Sequence, residues 1–422
     1  MLRGRFQLSD EVRHMLSKFV PTQSGASRAD LVVMHFFVRR GVVYVREFYP
    51  ERQYDYIRER TEAMQCLLAR TAAAHDLPDT ELFVFINDDS RVRMKGRALA
   101  TLPRMPLFEP SAPTDAHALL APDFAFEAWP VKRVYNYSRE AAVLAEAARR
   151  HGHPRDAAAW LHRKPQLFWR GGLGRAKRGR EGYAALSAAH PDLVDVANWK
   201  TPRAPRHHHH HRNHSGVGSV GGSRQGGDAG ARGAVDAVGA PSAGGGGSKN
   251  WTSRGDKCAY RHLLHLNGAA NRAYSIALRF TMQCGATVFY SAEPQFKEWF
   301  HALMTPGVHY VNASSPQQVL ALHKHYLRHA DASRAIALAG DAFAARYLSY
   351  EAAQCFWATA LREYTAAIVP PASAVARRSA AVLERLLARG EAAPLRLGEL
   401  PVRFGGGAPG KTRRSVPVSV RC

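Results

Sequence analysis

The chain has 422 residues, of which 46% are hydrophobic, and 58 basic against 35 acidic side chains give it a formal charge of +23. This length predicts about two or three domains with a sizeable core. The charge favours an acidic partner, whether nucleic acid, an anionic membrane or a phosphate-bearing small molecule, without choosing among them. No stretch approaches the ~18 apolar residues of a membrane span, and the absence of a CxxC pair argues against a zinc ribbon.

The first 86 residues are predicted to contain three strands and one helix. Residues 31–38 and 41–45 have the composition of two strands joined by a hairpin turn, and residues 51–74 read as a helix. Residues 81–86 form a short continuous apolar run, which is typical of a buried strand.

Two carboxylates, Asp88 and Asp89, directly follow this buried strand. The carboxyl end of a strand is where open α/β sheets build their sites, so either carboxylate is a candidate for chemistry. A polar loop or a helix N-cap would show the same pattern, and spacing alone does not distinguish these interpretations.

The middle of the chain is predicted to contain an irregular stretch, two helices and a disordered insertion. Residues 103–130 are rich in proline and read as irregular, whereas residues 139–151 and 154–162 read as helices. Residues 202–249 contain a run of five histidines followed by Gly, Ser and Ala, a composition that predicts a disordered insertion.

A loop rich in glycine and arginine follows a short predicted strand at residues 166–170. It covers residues 171–180 and leads into a helix predicted for residues 181–190. Its composition is that of a phosphate-binding loop, although it matches neither the Walker A motif nor GxGxxG.

Residues 256–310 are predicted to form the central α/β unit of the chain. A strand at 259–266 runs into the polar turn Asn267–Arg272, then a helix and a second strand at 286–290. This order suits a parallel sheet, in which the turn lies at the carboxyl end of its strand and the helix N-terminus favours an anion. An ordinary strand–helix connection is the alternative. Further helices are predicted at 315–329, 331–345, 349–368 and 373–390, before a basic tail.

Several short segments occur in an order that resembles one known family. They are Leu77-Pro78-Asp79 with Asp88, Pro122-Asp123-Phe124-Ala125-Phe126 with Trp129, Trp169-Arg170-Gly171, Cys258-Ala259-Tyr260 with Gly268, Cys284-Gly285, Glu298-Trp299-Phe300, Pro306 and Val308-His309-Tyr310. The set resembles glycosyltransferase family 90, which contains capsule-associated proteins and protein O-glucosyl- and O-xylosyltransferases. The resemblance covers roughly residues 40–368.

This resemblance implies an α/β fold of the GT-B type, in which two Rossmann-like domains face each other across a cleft and C-terminal helices follow. Residues 1–160 would be the acceptor-side domain, and residues 161–368, with the insertion at 202–249, the domain that binds the UDP-sugar. Residues 369–422 would add a C-terminal helix and a basic tail.

The resemblance also implies the reaction and its residues. Glucose or xylose would pass from a UDP-sugar to a hydroxyl of a protein or glycan, with inversion and with no metal ion or further cofactor. Asp88 matches the family's general base, with Asp89 as the alternative. The residues expected to bind the donor are Trp169, Arg170, Gly171, Gly172, Arg175, Arg180, Asn267, Gly268, Arg272, Ser275 and Arg279.

The arginines expected at the diphosphate keep several alternatives open. Arg180 lies at the family distance, with Arg175 and Arg178 as alternatives because the loop is about two residues longer than usual. Ser275 matches the family serine, but Ala277 stands where the family has arginine, so that Arg272 or Arg279 would have to supply the charge. This departure motivates a second hypothesis, a non-catalytic relative that binds a glycan or a protein. The net charge motivates a third, a nucleic-acid-binding protein, which we consider the weakest because no such motif is found.

Family resemblance further implies a monomer in the lumen of the endoplasmic reticulum or Golgi. Cys258 and Cys284 match a disulfide pair of the family, and a disulfide agrees with an oxidising compartment. The first residues carry no signal peptide. Either the start of the chain is truncated or misannotated, which we expect, or this member is cytosolic.

Overall fold

The structure is a computed structural model that describes residues 33–46, 55–86, 107–113, 119–132, 134–173, 180–198, 254–268, 275–291, 296–368, 374–395, 402–403 and 419–420. The described residues group into one compact unit. The insertion predicted at 202–249 lies outside the described residues.

A six-stranded mixed sheet contains most of the N-terminal strands. Its members are β1 (Val33–Arg39), β2 (Val42–Arg46), β3 (Thr80–Phe85), β4 (Leu107–Glu109), β6 (Leu119–Leu120) and β13 (Ala393–Pro394). β1 pairs antiparallel with β2 and β3, whereas β3, β4 and β6 run parallel. The predicted hairpin is confirmed, because Arg40 and Gly41 between β1 and β2 both have positive φ, 50° and 74°, as a two-residue turn of matching twist requires.

A five-stranded sheet, parallel throughout, forms the second layer. It contains β7 (Lys164–Gly171), β8 (Val194–Asn198), β9 (Tyr260–Leu266), β10 (Thr287–Ser291) and β12 (Val311–Ala313) in the spatial order β12-β10-β9-β7-β8. β9 and β10 are parallel neighbours, which confirms the strand–helix–strand unit predicted for residues 256–310. β10 is buried along its whole length, as expected for a parallel strand covered on both faces.

Two further strand pairs lie outside these sheets. β5 (Ala112–Pro113) pairs antiparallel with β11 (Phe296–Lys297) and connects the two halves of the chain. β14 (Val402–Arg403) pairs antiparallel with β15 (Ser419–Val420) near the C-terminus.

Nine α-helices occur in the described part of the chain. They are α1 (Asp55–Ala74), α2 (Tyr137–Arg150), α3 (Ala157–Leu161), α4 (Glu181–Ala189), α5 (Ala277–Met282), α6 (Pro316–Arg328), α7 (Ala330–Tyr347), α8 (Tyr350–Ile368) and α9 (Ala374–Ala388). Side chains cap several of them; for example, Asn136 accepts from the N–H of Arg139 at α2, and Ser315 accepts from that of Gln318 at α6. Of the helices described, none is both long and apolar enough to cross a membrane.

The hydrophobic core is continuous between the two sheets. Buried side chains of the six-stranded sheet, such as Phe36 and Val84, belong to the same cluster as Leu263 and Val288 of the five-stranded sheet. A second cluster, which includes Phe289, lies on the opposite face of the parallel sheet under α6 and α7. The described packing therefore shows no break at residue 160, and the two-domain division stays a prediction.

Several strands were not predicted. The proline-rich stretch 103–130 contains β4, β5 and β6 and a 3-10 turn at Phe124–Phe126, so its prediction as irregular was wrong. β8 and β12 were also missed, and the helix predicted at 154–162 is only the five-residue α3. These strands have two to five residues, too few for a periodic pattern to identify them.

Candidate functional site

The carboxyl edge of the parallel sheet brings together the two loops that were predicted to bind a phosphate. β7 and β9 are parallel neighbours, with Phe168 opposite Leu263. Because parallel strands end at the same edge, the chain that leaves β7 at Gly172 lies beside the chain that leaves β9 at Asn267 and Gly268. The edge therefore has the position at which open α/β sheets bind ligands.

Arg180 connects the two loops. It directly precedes α4, and its guanidinium donates to the carbonyl of Gly172 at 3.1 Å and to the carbonyls of Asn267 and, at 3.3 Å, Gly268. Burial lowers the pKa of Arg180 to about 10, so the side chain stays charged at neutral pH. All of its partners among the described residues are neutral.

The indole ring of Trp169 stacks against the same guanidinium. The Arg180 guanidinium lies 5.3 Å from the centroid of the Trp169 ring, a cation–π contact. The ring folds back over Gly171, where a Cβ atom would come within 2.2 Å of Trp169 Cζ2. A glycine at position 171 is thus required for the Trp169 ring to lie under Arg180.

Arg170 is held by a carboxylate that the sequence analysis did not identify. Its guanidinium donates to both carboxylate oxygens of Asp195 on β8, at 2.8 and 2.9 Å, and to the Asp195 carbonyl at 2.7 Å. Asp195 also accepts from the hydroxyl of Tyr260. The charge of Arg170 is therefore compensated within the sheet. An aspartate inside the apolar run of residues 193–197 was the available signal.

Asn267 is fixed by a chain of polar side chains that was also missed. The hydroxyl of Tyr290 donates to Asn267 Oδ1 at 2.9 Å, and His301 Nε2 lies 3.4 Å from that hydroxyl. The backbone N–H of Glu298 donates to His301 Nδ1 at 2.9 Å. We call these three side chains, Asn267, Tyr290 and His301, the Asn267 chain.

Arg279 lies away from the loops and between two carboxylates. Its side chain is 1% exposed and donates to Asp123 at 2.7 and 3.1 Å and to Glu298 at 2.8 Å. Neighbouring negative charge raises the pKa of Arg279 despite its burial, and burial raises that of Glu298 to about 8. The expectation that Arg279 offers a charge to a diphosphate does not fit this placement, because its charge is already compensated.

Comparison with known proteins identifies the family. A model of glycosyl transferase family 90 matches residues 20–389. The chain belongs to glycosyltransferase family 90. This confirms the resemblance seen in the ordered motifs.

Two individual proteins are similar to parts of this family 90 chain. An O-glucosyltransferase rumi homolog of Anopheles gambiae is 23% identical over 216 residues, which are 49% of this chain and 43% of that protein. The chain thus spans less than half the length of this relative. A crystal structure of Anabaena HepE in complex with UDP-glucose is 11% identical over 46% of this chain and 49% of that one, with a TM-score of 0.27.

Some of the residues that family 90 membership would assign lie outside the described residues. They are Asp88, Asp89, Arg175, Arg178 and Arg272. The strand that precedes Asp88 is β3, which is described. It is largely buried and runs parallel to β4, so the structure shows where β3 ends in the six-stranded sheet. Ser275 accepts at 3.4 Å from the N–H of Ala277, the exposed first residue of α5.

The disulfide that family 90 membership implied is present. Cys258 and Cys284 are bonded, with Cα atoms 4.9 Å apart, and they link the residues before β9 to the end of α5. The disulfide thus closes the unit that carries the loop at Asn267. Within the described ranges, no group of three or more His, Cys, Asp or Glu side chains is arranged to hold a metal ion.

Proposed function

We propose that the protein transfers glucose or xylose from a UDP-sugar to a hydroxyl of a protein or glycan, with inversion and without a metal ion. The observation that carries the proposal is the environment of Arg180. This buried cation lies where the loops after β7 and β9 meet, and its described partners are neutral carbonyls and an aromatic ring.

A buried cation without a counter-charge is costly, because the desolvation of the charge is offset only in part by neutral partners. A diphosphate would supply the missing charge and accept charge-assisted hydrogen bonds from the guanidinium. Arg170 and Arg279 differ in this respect, since Asp195 on one side and Asp123 with Glu298 on the other already compensate them. We therefore assign the diphosphate to Arg180 and leave Arg279 out of the donor site.

The proposed reaction is a single displacement. The acceptor hydroxyl gives its proton to Asp88 while its oxygen attacks the anomeric carbon of the sugar. The bond from that carbon to the diphosphate oxygen breaks, and UDP leaves with the electron pair. Arg180 stabilises the negative charge that develops on the leaving group.

The wider arrangement is also part of the proposal. In a GT-B arrangement, β3 and Asp88 would face the donor edge of the parallel sheet across a cleft, as the acceptor side requires. The Cys258–Cys284 disulfide supports a location in an oxidising lumen of the secretory pathway. A single chain would be sufficient for the reaction.

The release of UDP from a panel of UDP-sugars tests the proposal. Arg180→Ala should weaken UDP binding by roughly 10–100-fold, because a charge-assisted contact contributes about 1.5–3 kcal/mol. Asp88→Asn should keep UDP binding and lower turnover by roughly 10²–10⁴-fold. Arg149→Ala, an exposed arginine paired with Glu146, is the control and should change neither. The proposal is wrong if the parent protein neither binds UDP nor releases it from any donor.

One observation favours a second candidate, a non-catalytic relative that binds a glycan or protein. Ala277 places an exposed methyl group at the start of α5, where the family resemblance led us to expect an arginine. Binding of UDP without release from any UDP-sugar, in a protein whose fold is intact, would support this candidate.

A further inference from the structure

The Asn267 chain has one consistent direction of hydrogen bonding. Because the N–H of Glu298 donates to His301 Nδ1, this nitrogen must accept, and the proton of the neutral ring is assigned to Nε2. Nε2 then donates to the Tyr290 oxygen, and the Tyr290 hydroxyl donates to Asn267 Oδ1 at 2.9 Å. Burial lowers the pKa of His301 to about 4, so the neutral ring persists at pH 7.

The Asn267 chain ends at the residue whose carbonyl binds Arg180. Asn267 is 1% exposed; Tyr290 fixes its side chain, and its own carbonyl accepts from the Arg180 guanidinium. A buried side chain that is hydrogen-bonded in this way also limits the rotation of the adjoining peptide groups. The orientation of Arg180 therefore depends on a hydroxyl that belongs to a different strand.

We propose that Tyr290, oriented by His301, is a positioning residue that holds Arg180 for the diphosphate through Asn267. This inference rests on the proposed function, because it gives Tyr290 a role in the same site. The Tyr290 ring is itself 2% exposed and packs 4.9 Å from His265 and 5.6 Å from Tyr310. The ring should thus stay in place when only its hydroxyl is removed.

Tyr290→Phe tests the role of the hydroxyl. We expect UDP affinity, measured by titration calorimetry, to fall by roughly 3–10-fold, the effect of one buried hydrogen bond. Tyr310→Phe is the matched control, since Tyr310 touches the same ring and, within the described residues, its hydroxyl makes no hydrogen bond. His301→Phe should weaken binding less, because its contact with Tyr290 is longer at 3.4 Å.

A double variant separates positioning from general stability. In an Arg180→Ala background, Tyr290→Phe should change UDP affinity no further, because the group that it positions is absent. Equal losses in both backgrounds would overturn the inference. So would a Tyr290→Phe variant that binds UDP as tightly as the parent, and the proposed function would then stand.

Hydrogen exchange of the ligand-free protein keeps the test independent of UDP. Peptides that cover residues 180–189 and 260–268 should exchange faster in Tyr290→Phe than in the parent, whereas Tyr310→Phe should leave them unchanged. If the parent does not bind UDP, the proposed function fails, and the exchange still decides whether Tyr290 holds this edge. Unchanged exchange in Tyr290→Phe would overturn the positioning role.

Discussion

Arg279→Met should destabilise the protein strongly while leaving the diphosphate site intact. The arginine and its partners Asp123 and Glu298 are buried, with side chains that are 1%, 1% and 3% exposed. Methionine fills much of the same space and can still pack on Phe126, whose ring lies 4.1 Å from the guanidinium. The substitution thus leaves two buried carboxylates without their cation.

The expected cost is about 3–5 kcal/mol, which is typical when one partner of a buried ion pair is removed. Arg39→Met is a matched control. Its pair with Asp79 has the same 2.8 Å separation as the pair of Arg279 with Glu298, but the side chains are 41% and 43% exposed. Exposed pairs contribute at most about 1 kcal/mol, so burial alone should separate the two variants.

Urea unfolding and UDP titration of the same variants would test this reasoning. Asp123→Asn and Glu298→Gln, combined with Arg279→Met, should recover part of the lost stability, because no buried charge is then left unpaired. The reasoning is refuted if Arg279→Met unfolds at the parent's urea concentration but loses UDP affinity. Arg279 would then be the diphosphate ligand that the family pattern allowed.

The remaining predictions concern the disulfide, a glycine and acid sensitivity. Loss of the Cys258–Cys284 bond by serine substitution should cost about 3 kcal/mol, since the bond closes a loop with a sequence separation of 26; equal melting temperatures with and without reductant would contradict this. Gly171→Ala should force the Trp169 ring aside, at a cost of about 1–3 kcal/mol, and weaken UDP binding; unchanged UDP affinity would show that the stacked ring does not matter. Acid should destabilise the fold, because burial lowers the pKa of four imidazoles well below the ordinary value. These are His262, His265, His301 and His323. Their contribution is complete above pH ~6.5 and declines below it, by roughly 1 kcal/mol each down to pH ~5.5, as the unfolded chain takes up protons. Glu298, with its pKa raised to about 8, acts in the opposite direction and offsets part of this. Melting temperatures at several pH values would contradict the prediction if they rose or stayed level on acidification.

The longer elements of the fold could be predicted because each carries its own hydrophobic pattern. β3, β9 and β10 are apolar runs bounded by polar residues, and α1 is a 20-residue helix. β4 and β6 have three and two residues and exist only because β3 offers an edge to which they add in parallel. Such pairing depends on contacts between distant segments, which no local pattern reveals.

The meeting of the two loops was predictable, but the partners of their side chains were not. A strand followed by a small-residue turn places both loops at one edge once the strands are parallel neighbours. By contrast, Arg279 meets Asp123 across 156 residues, and Arg170 meets Asp195 across 25. The sequence favoured Arg180 and ranked Arg279 lower, but it did not show that carboxylates already compensate Arg170 and Arg279.

This difference in compensation is a better guide to the site than the net charge of +23. An arginine beside a carboxylate adds little to the local field, and an exposed arginine is screened by salt. Arg180 is buried, and its described partners are carbonyl dipoles and a ring face. An anion at this edge would therefore be attracted by an arginine charge that none of these partners neutralises. Binding of UDP should consequently stabilise the fold in proportion to its affinity, by about 2.7 kcal/mol at 100 times the dissociation constant. Because the same stabilisation should disappear in Arg180→Ala and persist in Arg279→Lys, melting curves with UDP can assign the charge to its arginine without any turnover.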